Sequence, residues 1–356
     1  MKIAIGYKWF ETAAGYHLER AFNSQGHRVV YVGLPCEKRP GYDSQVSLEK
    51  LIGSCSEGFD FYFWVDPSGP YFPLGIENLS IPTACYIIDV HLGTWRYEAA
   101  RFFDVVFIAQ KDYVEGYRRK LGHDRVYWLP LAAASDFHNQ QNLPRIYDVG
   151  FVGNISLAHR SSPRSLYLNL LAKEFTTNDF YRFYTPREVG RVYSQSKIVF
   201  NTSIAGDITM RVFEAALSGA LVVSDSEKNG VEELFRLGKE IVIYHNVDDL
   251  LTKIRYYLAH DKERGQIAEA GHRRALSQHT YGERVSTIAD YMSQPSLRKC
   301  APMRKASSSQ KYKGRHTVYT HLHMVDAVLE LARKQDSGPL RRFTQVLPVL
   351  ARKLII

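Results

Sequence analysis

The sequence predicts two Rossmann-like α/β domains that face a central cleft, followed by a basic C-terminal extension. Short runs that are apolar throughout alternate with runs of helical spacing, which is typical of parallel strands covered by helices on both faces. A polar stretch at 139–145 interrupts the alternation, which starts again at 147. The length of 356 residues also exceeds what one core normally supports. We therefore expect a first domain over 1–140, a second over 146–292 and an extension over 293–356.

The first domain is predicted from a series of buried-type strands. These runs lie at 2–7, 27–33, 59–66, 82–89, 104–110 and from 126 onward. Residues 11–24 have the spacing of a first crossover helix. Because parallel strands place their carboxyl ends at one edge of the sheet, the loops after these strands are expected to border the cleft.

The second domain repeats this organisation. Strands are predicted at 147–154, 197–203, 220–225 and 240–245, and helices at 161–174, from near 207–209 to Gly219, near 230–237, and at 247–259 and 261–276. The stretch 139–145 is the predicted linker between the domains.

The extension accounts for the basic charge of the chain. It holds 13 of the 46 Lys and Arg residues and 3 of the 37 Asp and Glu residues, so the rest of the chain has 33 against 34. A duplex-binding protein normally spreads basic residues over a folded face, so no nucleic-acid partner is expected. Residues 294–315 predict a linker or disordered segment, and helical spacing returns at 317–334. The end, 340–356, suits either a helix on an anionic membrane or a helix packed on the body.

Neither a metal site nor a membrane span is expected. The four cysteines form no CxxC pair, and the chain has no DxD pattern. No window approaches the roughly 18 apolar residues of a membrane span, and the N-terminus lacks a signal-peptide core. We expect a cytoplasmic protein, peripheral at the inner membrane face if the extension binds there. The oligomeric state is not predicted.

In the stretch TMRVFEAALSGALVVSD, at 209–225, Glu214 lies among small and apolar residues. Arg211 and Glu214 are three apart and share a helix face, and Gly219 is suited to end the helix. A carboxylate on a helix against the carboxyl ends of strands is suited to accept hydrogen bonds from the vicinal hydroxyls of a ribose. The alternative is an Arg211–Glu214 ion pair with no ligand.

The stretch DVGFVGNISLAHRSSPR, at 148–164, predicts a strand, a turn and a helix. Gly153 and Asn154 form the turn, and Arg160 or Arg164 lies near the start of the helix. Backbone N–H groups and a guanidinium in this arrangement favour a pyrophosphate. An ordinary strand-to-helix turn is the alternative.

Asp89 and His91 follow the fourth predicted strand, in IIDVHLGTW. Polar residues at the carboxyl end of such a strand are expected to face the cleft. His91 is suited to act on an acceptor hydroxyl or to brace a sugar, since histidine titrates near neutrality. A structural histidine is the alternative.

In combination, these stretches resemble the C-terminal half of GT-B glycosyltransferases. The motifs are YDVGFVGN, the MRVFEAALSG helix, NGVEEL and EIVIYHNVDDLL, and they cover about 147–292. The resemblance is greatest to the CgeB-like, spore-maturation type group. It implies transfer of a sugar from a nucleotide diphosphate to an acceptor hydroxyl, with the donor as co-substrate and no other cofactor or metal.

The resemblance also implies roles for individual residues. Glu214 is expected to bind the ribose, with Arg211 and the loop from Ser203 to Asp207 near the diphosphate. The turn of Gly153 and Asn154 is expected to line the same pocket with Arg160. Asp89 and His91 are the residues predicted to act from the other domain.

The sequence departs from this family at Gly206. Related retaining enzymes carry a glutamate eight positions before the ribose glutamate, and here that position is Gly206, with Asp207 beside it. Asp207 is the predicted substitute. Two alternatives stay open: a degenerate glycosyltransferase-like protein that only binds a nucleotide sugar or serves as a scaffold, and a nucleotide-sugar epimerase on the same fold.

Overall fold

The computed structural model describes residues 1–39, 41, 46–53, 58–67, 69–153, 155, 163–225, 227–294 and 299–334. The chain divides into two compact units. The first unit consists of Met1–Leu129 together with Ser286–Ile356, and the second is Pro130–Val285.

The first unit is built on a six-stranded sheet. Its strands are β1 Lys2–Gly6, β2 Arg28–Tyr31, β3 Phe61–Val65, β4 Thr83–Ile87, β5 Val105–Ile108 and β6 Val126–Trp128. All pairings are parallel, in the order β2-β1-β3-β4-β5-β6. The strands β3, β4 and β5 are buried along their whole length, as predicted from runs with no polar alternation.

Helices before residue 130 connect these strands. They are α1 Ala14–Ser24, α2 Leu48–Gly53, α3 Trp95–Ala100 and α4 Val114–Leu121, with short 3-10 turns at Ile76–Asn78, Val90–Leu92 and Lys111–Tyr113. The helix α4 ends at Gly122, whose φ of 69° is the left-handed conformation that terminates helices.

The second unit contains a four-stranded parallel sheet. Its strands are β7 Tyr147–Gly150, β8 Ser196–Phe200, β9 Leu221–Ser224 and β10 Val242–Ile243. They lie in the order β10-β9-β8-β7. A core of apolar side chains from these strands and from the helices around them, including Leu168 and Ile254, holds the unit together.

The helices of the second unit include the five predicted ones, together with others that were not predicted. They are α5 Ser135–His138, α6 Pro163–Glu174, α7 Pro186–Ser194, α8 Met210–Leu217, α9 Val231–Leu234, α10 Val247–Ala259 and α11 Asp261–Gln278, and α12 Tyr281–Met292 spans the boundary at 285. The helices α5, α7 and α12 were not predicted. Thr185 begins α7 with a capping box formed with Glu188.

The stretch 139–145, the predicted linker, lies inside the second unit. The guanidinium of Arg145 donates hydrogen bonds to the carbonyl oxygens of Tyr193, Ser196 and Gly219, at 3.0, 2.7 and 2.6 Å. These bonds tie the stretch to the sheet and to the end of α8, and the unit begins earlier, at Pro130.

The segment 294–315 differs from the predicted linker or disordered segment. It contains α13 Pro302–Lys305 and the start of α14 Ser308–His321, which α15 Val325–Lys334 follows. Ser307 and Gln310 form a capping box at the start of α14, an S-x-x-Q pattern that is visible in the sequence. Val318 and Tyr319 on α14 are fully buried, so this helix is part of the first unit's core.

Two basic residues of the extension are used inside the first unit. The guanidinium of Arg304 forms a bidentate ion pair with the buried carboxylate of Asp104, at 2.9 and 2.7 Å, and Arg315 pairs with Glu77. The stretch 340–356 lies outside the described residues, so its contact with an anionic membrane stays a prediction. Among the described residues, no helix combines the length and the apolar character needed to cross a bilayer.

Candidate nucleotide-sugar site

The predicted site residues of the second unit gather around α8, which follows β8. Thr209 precedes the helix in an extended conformation. The side chains of Phe213 and Leu217 are fully buried and fix which face of α8 is turned inward. Arg211 and Glu214 share the neighbouring face, as their spacing predicts.

Arg211 is buried, with 8% of its surface exposed, and its guanidinium donates hydrogen bonds to two partners. Its Nε donates to the carbonyl oxygen of Val152 at 3.0 Å, and its Nη1 donates to Oδ1 of Asn201 at 2.6 Å. The guanidinium also lies 4.2 Å from the ring centroid of Phe151. These contacts bring Arg211 against the turn after β7 and orient it there.

The turn after β7 is shaped to admit the guanidinium. A Cβ atom at Gly153 would lie 2.7 Å from Nη2 of Arg211, so glycine is required for this close approach. Gly153 and Arg211 therefore lie side by side, and their role in one nucleotide pocket stays a prediction. Asn154 and Arg160, predicted to join them, lie outside the described residues.

Arg164, the other arginine considered for this turn, lies at the start of α6. Burial lowers its pKa, and the positive charge of Arg211 lowers it further, while Asp207 and Asp225 act in the opposite direction. Arg164 and Arg211 are therefore close enough to repel each other, and an anion between them would relieve that repulsion.

Glu214 lies one turn after Arg211, and its side chain is 14% exposed. Burial raises the pKa of Glu214 from 4.5 to about 7, and Arg211 opposes this shift. Its Oε1 lies 3.7 Å from Nε2 of His138. No ion pair between Arg211 and Glu214 is present among the described residues, which disfavours the simple ion pair considered from the sequence.

Two carboxylates shape the loop from Ser203 to Asp207. Asp225 accepts hydrogen bonds from the backbone N–H and the hydroxyl of Ser203, at 2.9 and 3.1 Å. Asp207 accepts from the backbone N–H groups of Ile204 and Ala205, at 2.8 and 3.2 Å. Since Oδ1 of Asp207 organises its own loop, the catalytic role expected for this residue stays a prediction.

Gly206 has a φ of 78°, in the left-handed region. A Cβ atom there would lie 3.1 Å from Cδ of Lys228. A glutamate at this position would be strained by the backbone and crowded by the lysine. The departure from retaining relatives therefore involves the backbone as well as the side chain.

The sequence interpretation missed Asn201, which is fully buried where β8 ends. Its Oδ1 accepts from Arg211 and from the hydroxyl of Thr209 at 2.8 Å, and its Nδ2 donates to Oγ of Ser224 at 2.9 Å. It thus joins the start of α8 to the ends of two strands. The available signal was an amide directly after the apolar run KIVF.

Asp89 and His91 lie in the first unit, after β4. The backbone N–H of Asp89 donates to Oδ2 of Asp66 at 3.3 Å, and Arg96 binds the same oxygen at 2.6 Å. Both ring nitrogens of His91 are shielded from solvent and have no hydrogen-bond partner in the described part of the chain. Their predicted action on the acceptor stays a prediction.

No group of three or more His, Cys, Asp and Glu side chains is placed to hold a metal ion within the described ranges.

Residues 156–290 match a protein-family model described as glycosyl transferase-like. The chain carries a glycosyl transferase-like domain. A sequence comparison with curated proteins finds no match. The matched segment contains Arg211, Glu214 and the loop from Ser203 to Asp207, whereas Gly153 precedes it.

Similar solved structures have the GT-B fold. A glycosyltransferase from Rickettsia africae ESF-5 is 10% identical, with a TM-score of 0.58 over 82% of this chain and 97% of that one. HepE from Anabaena, in complex with UDP and glucose, is 13% identical, with a TM-score of 0.58 over 82% and 99%. A sucrose-phosphate synthase from Thermosynechococcus elongatus is 10% identical, with a TM-score of 0.55 over 82% and 98%.

These findings confirm the predicted GT-B fold class, and the matched segment is similar to glycosyl transferases. The CgeB-like subgroup, the acceptor and the independence from metal are finer predictions that the comparisons do not address.

Proposed function

We propose that this glycosyltransferase moves a sugar from a nucleoside diphosphate to an acceptor hydroxyl, and that it holds the donor nucleotide at α8 of the second unit. The observation that carries the proposal is the position of Glu214. Its side chain is 14% exposed on the same helix as the buried cation Arg211, and the charge of Arg211 acts on nearby Arg164.

Glu214 is the proposed ribose ligand. An ionised carboxylate has two oxygens that only accept hydrogen bonds, which matches the two vicinal hydroxyls of a ribose. Those hydroxyls donate to the carboxylate and replace part of the hydration that burial removes. Ligand binding thereby offsets the unfavourable desolvation that raises the pKa of Glu214.

Arg211 and Arg164 are the proposed diphosphate ligands. Nε and Nη1 of Arg211 are engaged by Val152 and Asn201, whereas Nη2 faces the turn at Gly153. A fixed guanidinium stabilises the charge that develops on the leaving diphosphate as the bond to the sugar breaks. Two such groups supply the positive charge that other glycosyltransferases take from a metal, so we propose a metal-independent reaction.

His91 is proposed to meet the acceptor. Within the described residues neither ring nitrogen of His91 has a hydrogen-bond partner, whereas buried polar atoms normally have one, so the acceptor hydroxyl is the proposed partner. The imidazole would then accept the proton that the acceptor hydroxyl loses.

UDP is the first nucleotide to test, because the similar HepE structure contains UDP. The experiment is isothermal titration of UDP, GDP, ADP and TDP into the wild type and Glu214→Ala, with EDTA present. We expect selective binding that Glu214→Ala weakens by at least about tenfold, the loss of roughly one hydrogen-bonded contact to a charged group.

Glu240→Gln is the matched control for this titration. Glu240 is also a buried glutamate of the second unit, but its carboxylate pairs with Arg236 and Arg274 and it precedes β10 rather than following a strand. Equal loss of affinity in both variants, or no nucleotide binding by the wild type, would contradict the proposed donor site.

A second candidate is a protein that binds a nucleotide sugar without transferring it. One observation favours it: Gly206 supplies no carboxylate, and Asp207 is engaged by Ile204 and Ala205. Incubation with the donor selected by titration separates the two functions, since only a transferase releases the free nucleotide in proportion to added acceptor.

A further inference from the structure

His138 contacts Glu214 from a different helix. It is the last residue of α5, its side chain is 1% exposed, and its Nε2 lies 3.7 Å from Oε1 of Glu214. The two residues are 76 positions apart in the sequence, and helix α5 packs against α8.

The hydrogen bonds of His138 determine which ring nitrogen carries the proton. The backbone N–H of Ala134 donates to Nδ1 at 3.2 Å, so Nδ1 has a lone pair and no proton. The proton of the neutral imidazole is therefore on Nε2, the atom that faces Glu214. The backbone at His138 is also fixed, because its carbonyl oxygen accepts from Oγ of Ser218 at 2.8 Å.

The other titratable groups around Glu214 have defined partners. On α8 itself, Arg211 binds Val152 and Asn201. From α7, the hydroxyl of Tyr193 donates to the same Val152 carbonyl at 3.2 Å. From α11, Nδ1 of His272 bonds the carbonyl oxygen of Leu217 at 2.8 Å. Among these groups, His138 is the one whose proton-bearing atom is within ion-pair distance of the Glu214 carboxylate.

We propose that His138 is a positioning residue for Glu214, whose Nε2–H orients the carboxylate and favours its ionised form for the donor's ribose. This inference rests on the proposed function of Glu214. It adds a specific partner, contributed by α5, outside the segment that matches the glycosyl transferase-like model.

The position of this contact makes donor affinity sensitive to pH near neutrality. Burial brings the pKa of Glu214 to about 7, so the ionised fraction changes over the range in which most enzymes are assayed. A donor N–H that faces the carboxylate lowers that pKa, and its removal raises it. The affinity for the nucleotide is therefore expected to increase with pH and to reach a plateau above the midpoint.

The experiment compares pH profiles of UDP affinity, measured by titration calorimetry from pH 5.5 to 9, for four variants. His138→Leu removes the Nε2–H group that faces Glu214. His138→Gln restores an N–H group, and its side-chain oxygen can accept a hydrogen bond from the backbone N–H of Ala134. His279→Leu is the control, because His279 is an equally buried imidazole of the same unit, 3% exposed, that bonds Leu234 instead. Glu214→Gln shows the profile without the titrating group, including the titration of UDP itself near pH 6.

We expect His138→Leu to move the midpoint upward by roughly one pH unit, because it removes the N–H dipole that faces the carboxylate at 3.7 Å, a contact longer than a hydrogen bond. With midpoints of about 7 and about 8, affinity at pH 7 falls by about fivefold and returns to within about twofold of the wild type at pH 9. His138→Gln should lie between the two, and His279→Leu should keep the wild-type midpoint. An equal loss at every pH in His138→Leu, or an unchanged profile, would overturn the proposal.

A second measurement is independent of nucleotide binding. In protein labelled with 13C at glutamate carboxyl groups, the NMR signal absent from Glu214→Gln reports the titration of Glu214 directly. If the titration midpoint of Glu214 moves upward in His138→Leu, and moves less in His138→Gln, the pairing of His138 with Glu214 is supported. This holds even if the wild type binds no nucleotide, because the absence of nucleotide binding would contradict only the proposed function. An unchanged midpoint refutes the pairing. If His138→Leu does not fold, His138→Gln against wild type decides by the same criterion.

Discussion

Glu214→Gln should stabilise the protein at neutral and alkaline pH while it weakens donor binding. Burial raises the pKa of Glu214 in the folded state to about 7, against an ordinary value of 4.5. Between these values the unfolded chain has released the proton and the folded chain has kept it, so the free energy of unfolding decreases as pH rises. This contribution is fully present below pH 4.5 and is lost above about pH 7.

The magnitude follows from the difference between the two values. From 4.5 to about 7, at about 1.36 kcal/mol for each pH unit, the ionised carboxylate lowers the free energy of unfolding by about 3 kcal/mol at pH 8. Glutamine keeps the shape and never ionises. The variant is therefore expected to exceed the wild type by about 3 kcal/mol at pH 8 and to differ little at pH 4.5.

The assay is urea unfolding of both proteins at a series of pH values from 4.5 to 8.5. Glu240→Gln is a control with the opposite sign. Burial would raise the pKa of Glu240, but the backbone N–H and guanidinium of Arg236 and the guanidinium of Arg274 outweigh it, so the net shift is downward. The ionised Glu240 therefore adds to the free energy of unfolding above its unfolded pKa, and this contribution is lost as pH falls. Glu240→Gln should accordingly destabilise the protein most at pH 8.

The reasoning is refuted if Glu214→Gln is less stable than the wild type at pH 8, or if the difference between the two proteins does not change with pH. The first result would mean that the carboxylate is stabilised by contacts in the free protein. The second would mean that Glu214 titrates alike in the folded and unfolded chains.

Two further substitutions test the turn and the extension. In Gly153→Ala, the new Cβ lies 2.7 Å from Nη2 of Arg211 and 2.9 Å from the ring of Phe151, so we expect UDP affinity to fall by about tenfold; calorimetry showing unchanged affinity would contradict this. In Ser307→Ala, loss of the capping box at α14 should lower the free energy of unfolding by about 1 kcal/mol and leave UDP affinity unchanged, as measured by urea unfolding and calorimetry. A change of affinity in Ser307→Ala would show that α14 does more than stabilise the first unit.

Most of the strands could be predicted because their signal is local. Runs such as FDFYFWVD and DVVFIAQ contain apolar residues without alternation, and they form the buried strands β3 and β5. Most boundaries were predicted one to three residues too long, because the polar residues at each end are compatible with a strand or a loop. The helical segment after Pro302 was missed because its composition resembles a linker, while the buried contacts that stabilise it come from the first unit.

The candidate donor site also combines features that could be predicted from the sequence with features that could not. The spacing of Arg211 and Glu214 and the glycine of the turn are properties of short stretches, and the chemistry that they predict stays a prediction. Asn201 and His138 act through partners 10 and 76 positions away. No periodicity within one segment predicts such contacts, since chain separation says nothing about distance once helices pack.

The sequence by itself determined the parallel strands, the helix that carries Glu214 and the charge of the residues beside it, because hydrophobic periodicity and residue type act over a few positions. Only the tertiary structure decided the protonation of Glu214, the orientation of Arg211 and the partner of each carboxylate. The physical reason is that pKa values and hydrogen bonds depend on burial and on neighbours brought together by packing, and the energy of a charge changes several-fold with the surroundings that packing creates.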